Sequence, residues 1–309
     1  MACPQCGGAL PRQALWRIVA CPYCSAMVTR NTQVVQREPF RQAWQRSLAL
    51  GRDGGRILRV AGRDFRVLRS LAEGEHTEVL LADACGPLPE RVTLKVARSV
   101  AWPLAGEADV LRRLQALQID GSAYFSQRLP QVVAHGQIDG VPDAREALAW
   151  RHPNGFWGSL ADVLAFHPQG IQDVRHAVWL WRRVLEVLAY VHRGGWTHGD
   201  LRPEHWLVHP ADHGVLLIGW GRARRGGDAA RDLVQSAWAI RQLLQGHGDT
   251  PPAIPSRVPG PLADLLHTVS ESADAAARMS AEQIDQALVA AARQAFGPPQ
   301  FIHFNPQRA

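Results

Sequence analysis

"WTHGDLRPEHWLV" (residues 196–208) and "VLLIGWGRARR" (residues 215–225) decide how the rest of this chain is read. The first stretch holds a single aspartate, Asp200, with Gly199 before it and Pro203 shortly after, the punctuation of a tight loop. The second is an apolar, strand-like run that ends in Gly219, Trp220 and Gly221 and then turns basic. An acid presented on a loop beside a short strand is a candidate for chemistry. What that acid could do depends on the elements around it.

The chain has 309 residues, of which 46% are apolar, enough for a sizeable core. No apolar run is long enough to span a bilayer, and "MACPQCGGAL" lacks a basic region followed by an apolar one, so a cytoplasmic, non-membrane protein is expected. The formal charge is +6, but the basic residues are mostly singles and pairs, densest in "GRARRGG"; such spacing does not favour nucleic acid as the partner. Of the 34 basic residues, 33 are arginine, and the only lysine is Lys95. A lysine at one position among so many arginines suggests a role that needs a compact ammonium.

Four of the five cysteines form two pairs, Cys3 with Cys6 and Cys21 with Cys24, with fourteen residues between the pairs. Each C-x-x-C turn can aim two thiolates at one point, and two turns complete a closed tetrahedral site. The intervening "ALWRIVA" reads as strand. A structural zinc ribbon is therefore expected over residues 1–30. Cys85 stands apart as a loop or packing residue. Residues 31–55 read as a connector, with "PFRQAWQRSLALGRDGG" as a short amphipathic helix ending in glycines.

From residue 56 the pattern turns to short strands: "RILRVAGRDFRVLRSLA", "TEVLLAD" and "RVTLKVA". "WPLAGEADVLRRLQAL" reads as a helix with Pro103 in its first turn, followed by the strands "VVAHGQI" and "EALAW". Beyond residue 158 the chain is mostly helical, in "GSLADVLAFH", "DVRHAVWLWRRVLEVLAYVHRGG", "AARDLVQSAWAIRQLLQG" and "SAEQIDQALVAAARQAFG", the last opened by a capping box of Ser280 and Gln283. The predicted class is α+β, with a small β-rich lobe over 56–152, a helical lobe over 153–297 and an extended tail over 298–309.

This plan and its motifs, in order over roughly residues 56–297, resemble the protein kinase-like superfamily, in a bacterial form headed by a zinc ribbon. "LAEGEHTEVLLA" is similar to the glycine-rich loop, with Gly74 kept and Ala72 and Thr77 in the other two glycine places. "VTLKV" resembles the strand whose lysine contacts phosphate, which makes Lys95 that lysine and Glu107 its helix partner. "HGDLRPEHWLV" resembles the catalytic loop, with Asp200 as its aspartate and His205 in place of asparagine, and "LIGWG" stands where D-F-G is found, with Gly219 for the metal-holding aspartate. Asp232 resembles the buried aspartate beneath that loop, and Arg278 the late arginine that pairs with the glutamate of A-P-E.

Kinase chemistry rests on positioning and on magnesium. The resemblance thus implies a loss: glycine has no side-chain oxygen, and imidazole is a poor ligand for a hard cation. Only ten residues separate Gly221 from Asp232, no A-P-E triplet occurs there, and Gly199 replaces the arginine that reads an activation-loop phosphate. The implied protein is a pseudokinase acting as a scaffold or regulatory subunit. ATP stays open as a ligand at Lys95, Glu107 and Gly74; magnesium is not expected. The alternative is a divergent phosphotransferase, acting on protein or a small molecule, in which Asp200 works with non-standard metal ligands. Partner proteins are expected at the ribbon or at the aromatic, proline-rich tail "FGPPQFIHFNPQRA". His198, His205, His209 and His213 read as loop and core residues.

Overall fold

The computed structural model describes residues 18–20, 27–29, 55–86, 90–141, 143–248 and 251–307. Cys3, Cys6, Cys21 and Cys24 and the connector up to residue 54 lie outside these. What is described of the head is a pair of short strands, β1 (Ile18–Ala20) and β2 (Met27–Thr29), paired antiparallel with Ile18 opposite Thr29.

Six strands form the β-rich lobe: β3 (Ile57–Val60), β4 (Arg63–Glu73), β5 (Thr77–Ala84), β6 (Glu90–Ala97), β7 (Val132–Gln137) and β8 (Glu146–Arg151). All pairs are antiparallel in the order β3-β4-β5-β6-β8-β7. A bridge between Val60 and Ile138, with the Asp139 N–H donating to the Arg59 carbonyl, ties the two ends of the sheet at one point, so the sheet curls toward a barrel. Alternation explains the contents of its two faces. On β8, Ala147 and Ala149 point inward among Leu58, Val60, Phe65, Val92 and Leu94, whereas Leu148 and Trp150 point outward into the core shared with the helical lobe. On β8 the small residues thus face the interior and the bulky ones the outer face.

Against that outer face lies α1 (Ala105–Gln115), which buries Ala108, Leu111 and Leu114. Pro103 does not enter its first turn as expected; the helix begins at Ala105, and Leu104 at the cap position makes no side-chain capping bond. The cap comes from across the fold instead. Glu146 on β8 accepts from the Leu104 and Ala105 N–H groups at 2.6 and 2.9 Å and from His135 at 3.2 Å. Burial works against its charge, but the His135 bond and the two helix N–H groups win and hold its carboxyl below the usual glutamate value. A one-turn helix, α2 (Ser122–Phe125), leads into β7.

The helical lobe follows: α3 (Leu160–Phe166), α4 (Val174–Arg193), α5 (Ala229–Gln245), α6 (Gly260–Glu271), α7 (Ala273–Ala277) and α8 (Ala281–Phe296). Capping boxes open α3 (Ser159 with Asp162) and α8 (Ser280 with Gln283), the latter as read from the sequence. Asp173 and Asp228 cap α4 and α5. Helix α4 buries Ala177, Trp181, Val184, Leu185, Leu188 and Val191 along one stripe, the period of a core helix. Helices α6 and α7 were not foreseen, because "PPAIPSRVPGP" punctuates the chain so heavily that the short apolar stretch after it carries little periodic signal. Two small β elements frame the loops between α4 and α5. One is a sheet of β9 (Gly158–Ser159), β11 (Trp206–His209) and β12 (Gly214–Leu217); the other pairs β10 (Trp196–Thr197) with β13 (Arg224–Arg225). Among the described residues no helix is long and apolar enough to cross a membrane.

Candidate functional site: the cleft between Lys95 and Asp200

Strand β6 presents Lys95 on the sheet face that looks toward α1, and its ammonium donates to Glu107 Oε2 at 2.7 Å. Both groups are sheltered, the lysine side chain 17% and the glutamate 5% exposed. A Cβ on Gly221 would stand 3.5 Å from Glu107 Oε2, so the pair reaches from the sheet to the loop after β12. The expected helix–strand ion pair is therefore formed.

Gly74 sits at the tip of the β4–β5 hairpin, where its N–H donates to the Thr77 carbonyl at 2.8 Å. Ala72 and Thr77 belong to the ladder, opposite Val79 and Ala97 respectively, so the hairpin zips nearly to its tip. That tip is also tied sideways. The Arg98 N–H donates to the His76 carbonyl, the Arg98 guanidinium meets Glu73 at 3.2 Å, and the His76 ring stacks on Trp102 at 3.9 Å.

The loop between β10 and β11 is built from beneath by Asp232. Fully buried on α5, its carboxylate accepts from the N–H groups of His198 (2.8 Å) and Gly199 (2.7 Å) and meets His192 Nε2 at 2.9 Å. This is the role expected of Asp232, and His192 is a partner that the sequence reading missed. His198 is buried; its Nε2 is 3.0 Å from the Ile218 carbonyl and its Nδ1 accepts the Asp200 N–H at 3.2 Å, which fixes the neutral tautomer with hydrogen on Nε2. Burial pushes it down to about 4, so it stays neutral near neutrality.

Among the described residues no backbone N–H donates to the Asp200 carboxylate. It is gripped by Arg202, Nε at 2.9 Å and Nη2 at 3.2 Å, with the Arg222 Nε at 3.8 Å. His205 Nδ1 donates to the Asp200 carbonyl at 2.7 Å, which turns the ring over Gly219. There a Cβ would stand only 2.5 Å from the imidazole, and Gly219 has φ +79°, a conformation that side chains rarely adopt. The two departures from the metal-holding pattern are thus coupled: the His205 ring fills the space that any side chain at 219 would need. Trp220, fully buried, packs 4.4 Å from His198 and donates its indole N–H to the Leu217 carbonyl.

The crossover between the lobes is also committed. The Arg151 N–H donates to Gln131, the His152 N–H donates to Arg91, and residue 153 is proline, without an N–H. On the face that carries Lys95, Thr93 stands opposite Trp150, its hydroxyl 2.9 Å from His152 Nδ1. The Trp150 indole is buried with its N–H unpaired among the described residues. Arg202, Arg222, Trp150 and His152 all escaped the sequence reading. The dipeptide spacing of Asp200 and Arg202 could have exposed the first of them; the rest depend on tertiary placement.

One expectation fails here. Arg278 lies on the surface with its Nε donating to the Asp274 carbonyl, and the arginine that is buried and ion-paired in this lobe is Arg241, with Glu271 at 2.5 Å. The spacing of His205, His209 and His213 by four residues does not gather them, because the chain there is a turn and a hairpin rather than a helix. Among the described residues no group of three or more metal-ligating side chains occurs.

No protein-family model matches the chain. Its structure is similar to a Plasmodium kinase domain (TM-score 0.55, 15% identity, covering 71% of this chain and 93% of that one). It is also similar to the BubR1 kinase domain (TM-score 0.58, 14% identity, covering 83% and 92%). A stretch of 71 residues is 37% identical to maternal embryonic leucine zipper kinase of Danio rerio, spanning 21% of this chain and 10% of that protein. The chain has the fold of a protein kinase domain.

Proposed function

We propose that this protein is a pseudokinase, a kinase fold that works as a scaffold or regulatory subunit rather than as a catalyst. One observation carries the reading: the His205 ring occupies the space beside Gly219 where a metal-holding carboxylate would have to stand. Asp200 adds to it, since a base already clasped by Arg202 is poorly placed to accept a proton from a hydroxyl. With magnesium excluded, nucleotide could bind only through Lys95, and the zipped β4–β5 hairpin offers little to fold over its phosphates.

Purified protein incubated with labelled ATP and magnesium should transfer no phosphate to itself or to a generic acceptor, and its melting temperature should not respond to magnesium. Transfer that disappears in Asp200→Ala would overturn the proposal. It would favour instead a divergent phosphotransferase, a reading supported by the intact Lys95–Glu107 pair and by the Asp232 anchor beneath the loop.

The same proposal gives the chain a structural zinc held by Cys3, Cys6, Cys21 and Cys24. The antiparallel pair β1–β2 supports it, since it flanks the second cysteine pair as a ribbon hairpin would. Elemental analysis should find one zinc per chain. The ribbon and the tail are offered to partner proteins, and the setting is bacterial cytoplasm.

A further inference from the structure

We propose that the surface around Asp200 is an anion receptor that takes a phosphorylated serine or threonine of a partner protein. The inference rests on the non-catalytic reading above and extends it: a site that would make phosphorylated residues in an active kinase here binds them.

The observation is the use to which Asp200 is put. Its carboxylate, 10% exposed, engages Arg202 through two donors, a fork-to-carboxylate geometry that fixes the guanidinium plane. Three of the five N–H donors of Arg202 stay free, and the side chain is 62% exposed, so the held fork faces solvent. Arg222 stands on the same carboxylate at 3.8 Å, beyond hydrogen-bond length, and its side chain is 67% exposed. Two guanidinium groups thus share one carboxylate, which leaves a net positive charge and a set of unspent donors at one point. Arg224 and Arg225 on β13 continue the positive surface, exposed and without an acidic partner among the described residues. The ten residues between Gly221 and Asp232 carry Arg222, Arg224 and Arg225 themselves and lead into α5 at Ala229.

The chemistry of the ligand follows from what surrounds the arginines. A phosphomonoester brings nearly two negative charges and three acceptor oxygens, which match a fixed fork plus a second cation better than a single carboxylate does. A nucleotide is disfavoured because the crossover has no free N–H at 151–153 and Trp150 is buried on the Lys95 face. A nucleic acid is disfavoured because Trp196, Trp206 and Trp220, the aromatic rings of this region, are all buried and offer no stacking platform.

Fluorescence anisotropy on the full chain tests it, with a labelled degenerate peptide carrying one fixed phosphoserine or phosphothreonine. The phosphopeptide should bind, its unphosphorylated twin should not, and Arg202→Ala and Arg222→Ala should each weaken binding by about tenfold or more, the worth of one charge-assisted contact. Arg222 is 67% exposed and stands 3.8 Å from Asp200, so Arg222→Ala should keep the parent melting temperature. Equal binding of the unphosphorylated peptide or of labelled poly-uridine would overturn the proposal, as would affinity unchanged in both variants. Displacement by an equal concentration of inorganic phosphate would overturn the assignment to a partner's phosphoresidue in favour of free phosphate. Phosphoryl transfer from ATP, assayed separately on the same preparation, reports on the non-catalytic reading alone.

Discussion

Gly219 is a position where the backbone conformation and a neighbouring ring both exclude a side chain. Its φ of +79° alone makes a side chain costly, and the His205 ring 2.5 Å from any Cβ makes it costlier. Gly219→Ala should destabilise the fold by about 2 to 5 kcal/mol. In a double-mutant cycle with His205→Ala the steric part should be recovered, a coupling of about 1 to 3 kcal/mol in urea unfolding. Additive effects would mean that the ring does not hold the space. His198 sets a pH response at the same scale. Burial lowers it to about 4, and burial of His176 likewise brings it to about 4. The unfolded chain binds these protons below about pH 6.5, and the folded chain resists them until about 4. Stability from these two residues is therefore full above about 6.5 and falls as the pH drops toward 4. Denaturation midpoints at pH 7 and pH 5 should differ, and replacing both histidines by glutamine should flatten the difference.

At the level of single elements, α1 depends on a strand for its beginning. Leu104 cannot cap it, and Glu146 supplies the acceptor from β8. Glu146→Ala should cost about 1 to 2 kcal/mol, the usual worth of a cap, and hydrogen exchange at the Leu104 and Ala105 amides should quicken. Protection equal to the parent protein would show that the cap is idle. The sequence told of α1 through its apolar spacing, and of α8 through Ser280 and Gln283, because both signals are local. It could not tell that a glutamate some forty residues downstream would cap α1. Nor did it reveal α6 and α7, where proline-rich punctuation hides a short apolar face that only the lobe's core gives a reason to form.

Over the whole molecule, the tail from Gly297 onward folds back on the helical lobe. Phe304 is 2% exposed and lies against His176 and Trp179, while His213, stacked between Trp179 and Phe301, bonds the Ile302 carbonyl at 2.7 Å. The aromatic residues of the tail therefore pack on the body of the same chain. Phe304→Ala should cost about 3 to 5 kcal/mol, as for a large core aromatic, and should alter tryptophan emission through Trp179. An unchanged unfolding midpoint would show that the tail contributes nothing to the fold.

The amino-acid sequence alone determined the strands of the β-rich lobe and the helices α1, α3, α4, α5 and α8, since these follow from local period and capping residues, while the pairing of Lys95 with Glu107 and the anchoring role of Asp232 were implied by the resemblance to kinases. Only the tertiary structure decided the contacts at the site: that His205 turns over Gly219, that Asp200 holds Arg202, and that the glycine-loop hairpin is zipped and clasped by Trp102. Those facts depend on which atoms a closed fold brings within a few ångströms of one another, and linear spacing does not encode such distances.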